Sequence, residues 1–136
     1  MPKKGLRFWC SLEPPTTTHN DLEAVVNRKT GKAFIKKSQT LHEVEAKLEA
    51  HMAPHRPEEP FHSACEISMC ICYQADTKHP KGLKITKPDN DNLEKTIFDV
   101  LERLGFFEVG DQQIAINHTT RCYDDRPGIY VELREV

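Results

Sequence analysis

Lys87-Pro88-Asp89-Asn90-Asp91-Asn92-Leu93-Glu94-Lys95 opens a helical run that ends at Leu104-Gly105. Pro88 disfavours helical geometry for Lys87, and Asp or Asn at the next four positions can accept backbone N–H groups, so a helix begins here. Asp91 is the expected N-cap, with Glu94 completing a capping-box pattern. Leu93, Ile97, Leu101 and Leu104 then repeat at helical spacing and predict a stripe buried against a core.

Asp91, Lys95 and Asp99 recur every fourth residue and share a helix face, with Asp89 in the loop just ahead. Capping together with an exposed Asp91–Lys95 pair, worth about 0.3–0.5 kcal/mol, would account for an isolated Asp-x-Asp. Capping needs one side chain, however. A second carboxylate beside it adds repulsion unless a cation neutralises it, so the pattern raises the question of a divalent metal.

The same residues carry a family resemblance. Lys87-Pro88-Asp89-x-Asp91-Asn92-Leu93-x-Lys95, a helix with an internal Asp, and then Gly105-Phe106-Phe107-Glu108-Val109-Gly110-Asp111-Gln112-Gln113-Ile114 together resemble the RusA family of Holliday junction resolvases. The motif core spans residues 87–116, and the layout on either side extends the match to most of the chain. The resemblance implies a magnesium-dependent endonuclease, with manganese as a substitute ion, that acts as a homodimer on four-way DNA junctions in recombination and repair. Carried over residue by residue, it makes Asp89, Asp91 and Asp111 the essential acids and metal ligands, and Lys95 the essential lysine. A phage or prophage origin is also implied by the family. One position departs: many members have two adjacent acids before the Gln-Ile or similar pair, and Gly110 takes the first place here. If that acid is needed, Glu108 has to stand in for it.

A chain of 136 residues fits one domain, residues 1–136, with one core that buries about two-thirds of the unfolded surface. No run reaches the roughly 18–20 apolar residues of a membrane span, and Met1-Pro2-Lys3-Lys4-Gly5-Leu6-Arg7 lacks the apolar centre of a signal peptide. A soluble, cytoplasmic protein is expected. Five cysteines without framework spacing suit a reducing compartment. The net charge of −2 is unevenly spread: residues 1–37 hold eight Lys or Arg against three acids, and residues 89–136 five against eleven. A basic part can meet phosphates while an acidic part holds metal, although composition alone is equally that of an ordinary mixed surface.

The remaining pattern predicts an α+β domain, a mixed β-sheet packed by two main helices. Leu6, Phe8, Cys10 and Leu12 alternate on an opening strand, and Cys65, Ile67, Met69, Ile71 and Tyr73 form one face of a central strand from Ser63 to Gln74. Ala24-Val25-Val26 and Ala33-Phe34-Ile35 flank a basic hairpin tip with Arg28, Lys29 and Lys32. These three, with Lys84 and Lys87 beside the acidic motif, are the expected DNA contacts; solvated loop charge explains the tip equally well. His19, in a polar loop over residues 16–20, is a weaker candidate. Thr40 and Glu43 suggest a second capping box ahead of Leu41, Val44, Leu48 and Met52, with Glu43, Glu45 and Glu49 on the outer face and Pro54 as the stop. Residues 112–119 and 129–133 read as paired strands joined by the turn at Asp124-Asp125-Arg126-Pro127-Gly128. Leu104-Gly105-Phe106-Phe107 is a stretch that could expose aromatic surface at a dimer interface. Cys70 and Cys72 share a strand face, but no second cysteine pair completes a zinc knuckle, and buried reduced thiols are the better reading.

Phosphodiester hydrolysis needs a water nucleophile, neutralised charge at phosphorus and a stabilised leaving oxygen, all of which magnesium on hard oxygen ligands can supply. Lys95 would orient the phosphate or stabilise transition-state charge, with Asp99 holding it in place. The rival readings are a junction-binding or branched-DNA-binding protein without cleavage, a metal-dependent nuclease for other branched DNA, and a small acidic adaptor.

Overall fold

The computed structural model describes residues 4–16, 22–26, 29–37 and 39–136. A five-stranded sheet runs in the order β1 (Gly5–Cys10), β7 (Gly128–Glu135), β4 (Cys65–Gln74), β6 (Ile114–Asp124) and β5 (Gly82–Leu83). Strand β4 lies at its centre and pairs parallel with β6 and antiparallel with β7, which makes the sheet mixed. The parallel pair needs a crossover, and helix α2 (Asn90–Arg103) lies within that connection. Strands β2 (Leu22–Val26) and β3 (Ala33–Lys37) form the expected hairpin as a separate antiparallel pair. Arg28 and residues 17–20 of the polar loop, His19 included, lie outside the described residues.

Alternation along β4 places Cys65, Ile67, Met69, Ile71 and Tyr73 in the core, with Phe8 and Cys10 of β1 and Ile129, Val131 and Leu133 of β7 alongside. Helix α2 covers them with Leu93, Ile97, Val100 and Leu101, and helix α1 (Gln39–Met52) adds Leu48 and Met52. Leu93, Ile97 and Leu101 are wholly buried and Leu104 partly so, which is the stripe the periodicity predicts. Each such side chain contributes about 1.5–3 kcal/mol of burial. Gly105, at φ 87°, ends α2 in the left-handed conformation, and the Phe106 N–H closes back on the Leu101 carbonyl at 3.1 Å. No helix among the described residues is long and apolar enough to cross a membrane.

The structure corrects five local expectations. Strands β6 and β7 are not paired with each other, because β4, apolar along most of its length, sits between them and bonds to both. Residues 111–113 form a 3₁₀ turn, so β6 starts at Ile114. Thr40 lies inside α1, which begins at Gln39, and therefore does not cap it. Glu45 is buried instead of outward-facing: Arg103 of α2 bonds Glu45 at 2.5 Å and Glu49 at 2.7 Å, so these acids close the seam between the helices. Phe106 and Phe107 are buried, and the turn after α2 offers no aromatic surface.

Candidate active site

The start of α2 differs from the expected cap. Asp89 occupies the N-cap position with extended backbone (φ −65°, ψ 146°), and the Leu93 N–H bonds to its carbonyl at 3.0 Å. Pro88 then precedes the cap and Leu93 stands four residues after it, both buried, in the positions of a hydrophobic staple. Capping by Asp91 would put polar Asn90 in the first of those places, so the apolar pair selects the earlier start. The Asp89 side chain makes no capping bond; its Oδ1 accepts from Lys87 Nζ at 2.7 Å. Asp91 is left exposed in the first turn, where the helix dipole favours negative charge, with no partner among the described residues.

One turn further on, Lys95 does not pair with Asp91. Its Nζ lies 3.0 Å from Asp99 Oδ1 and 3.4 Å from Asp111 Oδ2, so it links α2 to a segment sixteen residues away. The Asp99 hydrogen bond, with the charges of Asp99 and Asp111, raises the Lys95 ammonium above the ordinary lysine pKa despite some desolvation.

Asp111 is held from its backbone. Glu102 Oε1, on α2, accepts the Asp111 N–H at 3.1 Å. Gln113 accepts from the Val109 N–H at 2.7 Å through Oε1 and donates through Nε2 to the carbonyls of Phe61 at 2.8 Å and Ser63 at 3.0 Å. Gly110, at φ 155°, leaves room for this arrangement: a Cβ there would lie 2.2 Å from Glu102 Oε1 and 2.3 Å from Gln112 Oε1. Gly110→Ala is therefore expected to lower stability by about 1–3 kcal/mol through backbone strain. Denaturant melts of the two proteins measure this, and an unchanged midpoint would refute it. Glu108, the possible stand-in for an acid at 110, has its carboxylate on His62 Nδ1 at 2.9 Å.

The loop before α2, whose Lys87–Pro88 peptide is cis, is anchored by Arg121 of β6. Its guanidinium donates to the Thr86 carbonyl at 3.1 Å and the Pro88 carbonyl at 2.5 Å. Asn117, also on β6, donates to Glu94 at 3.0 Å. Lys87 is exposed, as are Lys29 and Lys32 near the hairpin tip. Lys84 is only 7% exposed: its ammonium lies over the rings of Tyr73 and Tyr123 and donates to the Thr86 and Tyr123 hydroxyls at 2.5 and 2.9 Å. Its charge is thus enclosed, whereas that of Lys87 faces solvent.

Glu102, Gln113 and Arg121 hold this region together. Gln113 belongs to the motif quoted from the sequence, where it reads as strand with no bracing role, and Glu102 and Arg121 were not singled out. The carboxylates of Asp89, Asp91 and Asp111 do not form a tight trio as placed; among the described residues the closely gathered trio of such ligands is Cys70, Cys72 and Cys122. Lys87 and Lys95 instead supply the counter-charges for Asp89 and Asp111. Three carboxylates, of which Asp91 has no partner among the described residues, offer the hard oxygen donors that suit a divalent cation.

No curated protein matches the chain. The family model for endodeoxyribonuclease RusA matches residues 13–134, which takes in the whole of this region. The chain accordingly belongs to the RusA family of endodeoxyribonucleases, enzymes that resolve Holliday junctions and depend on a divalent metal.

Proposed function

We propose that this chain is a Mg²⁺-dependent resolvase, with Mn²⁺ as a possible substitute, that cuts four-way junctions by paired symmetric nicks during DNA recombination and repair. The contact of Lys95 with Asp111 is the observation that carries this reading. It links the helix face bearing Asp91 to the loop bearing the third acid, across sixteen residues of sequence.

In this reading Asp89, Asp91 and Asp111 hold the metal, which supplies Lewis-acid charge and lowers the pKa of a bound water. With Asp89 and Asp111 engaged by a cation, the ammonium groups of Lys87 and Lys95 would be left to face the anionic substrate. Lys95 either orients the attacked phosphate or stabilises charge developing in the transition state, and Asp99 holds it. Lys87, Lys29, Lys32 and Arg28 contact the phosphate backbone. Lys84 contributes positive potential from behind its tyrosines. A junction has near two-fold symmetry, so a homodimer with two sites is the matching assembly. A cytoplasmic location suits this role.

The test is a synthetic four-way junction, a Y-fork and a linear duplex, each incubated with and without Mg²⁺ and mapped for cuts. Paired nicks at symmetric positions confined to the junction are expected. Preferential cutting of the fork would instead identify a nuclease for other branched DNA, and a salt-dependent shift without cutting would identify a binding protein.

The raised pKa of Lys95 adds a pH prediction. A lysine whose pKa is raised keeps its proton below the ordinary value of 10.5 and loses it only as pH rises through the higher folded value. In the metal-free protein, where Asp99 and Asp111 both face it, Lys95 should therefore show no titration below pH 10.5 when followed by NMR. A Lys95 titration below that value would oppose this. For Lys87→Ala, junction affinity should fall and the slope of log K against log salt should shrink by about one contact. An unchanged slope would remove Lys87 from the DNA surface.

A further inference from the structure

We infer that Cys70, Cys72 and Cys122 form a thiolate site for a soft d¹⁰ cation, of which zinc(II) is the test case. The parallel register that joins β4 to β6 sets Cys72 directly beside Cys122, and Cys70 lies two residues away on the same strand face. The Cys122 and Cys72 sulfurs are 3.2 Å apart and those of Cys70 and Cys72 3.6 Å apart, and all three lie within 4.8 Å of one another. Around a tetrahedral ion with Zn–S bonds of about 2.3 Å, sulfurs stand roughly 3.8 Å apart. The two shorter spacings fall 0.2–0.6 Å below that value, within reach of side-chain adjustment. All three thiols are free.

Burial alone does not explain the trio. Cys10 and Cys65 each fill a place in the hydrophobic core, as single buried cysteines do. Cys70, Cys72 and Cys122 instead gather on the opposite face of the sheet, and Cys70 and Cys122 are only half-buried. This leaves a fourth coordination position open to water. Burial, and for Cys72 the two neighbouring thiols, push the Cys72 and Cys122 thiols above their ordinary pKa, so thiolate charge is disfavoured there until a cation arrives. On binding, three S–H protons leave as three sulfur–metal bonds form. The ion would clamp β6 to β4 one residue from Arg121, the anchor of the loop that leads into α2.

The experiment uses the full chain, reduced, stripped with a chelator and titrated anaerobically with Co²⁺ and then Zn²⁺. One cobalt per chain with a thiolate-to-cobalt charge-transfer band, abolished when zinc displaces it, is expected. Cys70→Ser and Cys122→Ser should each weaken binding by at least about tenfold, a loss that even an outer-shell partner can cause. Cys10→Ser should leave it unchanged. On the unaltered protein, mass-spectrometric mapping after alkylation should find Cys70 and Cys122 labelled when stripped and spared when zinc-loaded, a readout that no variant's folding can obscure. Absence of the band at one equivalent, its survival in both serine variants, labelling indifferent to zinc, or a Cys72–Cys122 disulfide that zinc fails to prevent would each overturn the site.

Discussion

Asp91→Asn is expected to reduce nicking of a four-way junction by at least about 10²-fold while junction binding, assayed without Mg²⁺, stays the same or tightens. The substitution keeps the side chain's shape and removes one charge. Asp91 is exposed, holds no partner among the described residues and does not cap its helix, so its loss disturbs no contact of the fold. If the aspartate served only the helix dipole, the variant would lose about 0.3–1 kcal/mol of stability and cut normally. The metal reading predicts the reverse emphasis, with a small change in the melt and a large one in the rate. Binding should not suffer, because a carboxylate facing phosphate without its cation is repulsive. Full activity in a variant that melts slightly earlier would remove Asp91 from the metal site. Loss of binding together with loss of cutting would show that the substitution damages more than the ion.

How far the sequence disclosed this arrangement depends on how local each signal is. The buried stripe of α2 was legible because Leu93, Ile97 and Leu101 state their face within a single helix, and β4 because its alternation is complete in ten residues. The order of strands is a different kind of fact. Nothing within residues 114–135 says that β4 separates β6 from β7, since that pairing joins strands far apart in sequence. Glu45 was misassigned for the same reason: a helical wheel places it beside Glu49 but does not reveal that Arg103 approaches from a second helix. At the candidate site, Asp89, Asp91 and Lys95 were legible as a compact motif. The Lys95–Asp111 contact and the Glu102 support beneath Asp111 depend on the turn after α2 folding back. Cys122 escaped notice because 50 residues separate it from Cys72, and only the parallel register brings them together.

Phe106→Ala should cost about 3–5 kcal/mol of folding stability, a large share of the roughly 5–15 kcal/mol that holds a domain of this kind together. Phe106 is wholly buried, its ring lies 6.0 Å from that of Phe8 on β1, and its backbone carbonyl accepts the Phe61 N–H at 2.8 Å. The residue therefore joins three parts of the chain: the end of α2, the edge strand β1 and the segment 61–63 that Gln113 grips beneath Asp111. Truncation leaves a cavity that these parts cannot all collapse into, whereas Phe106→Leu keeps most of the volume and should cost less than half as much. Denaturant melts at two protein concentrations make the measurement. A loss of that size that is the same at both concentrations places the ring in the core of the chain. A loss below about 1 kcal/mol would refute that placement, and one that appears only on dilution would put Phe106 at a contact between copies of the chain, because only an interface makes stability depend on concentration.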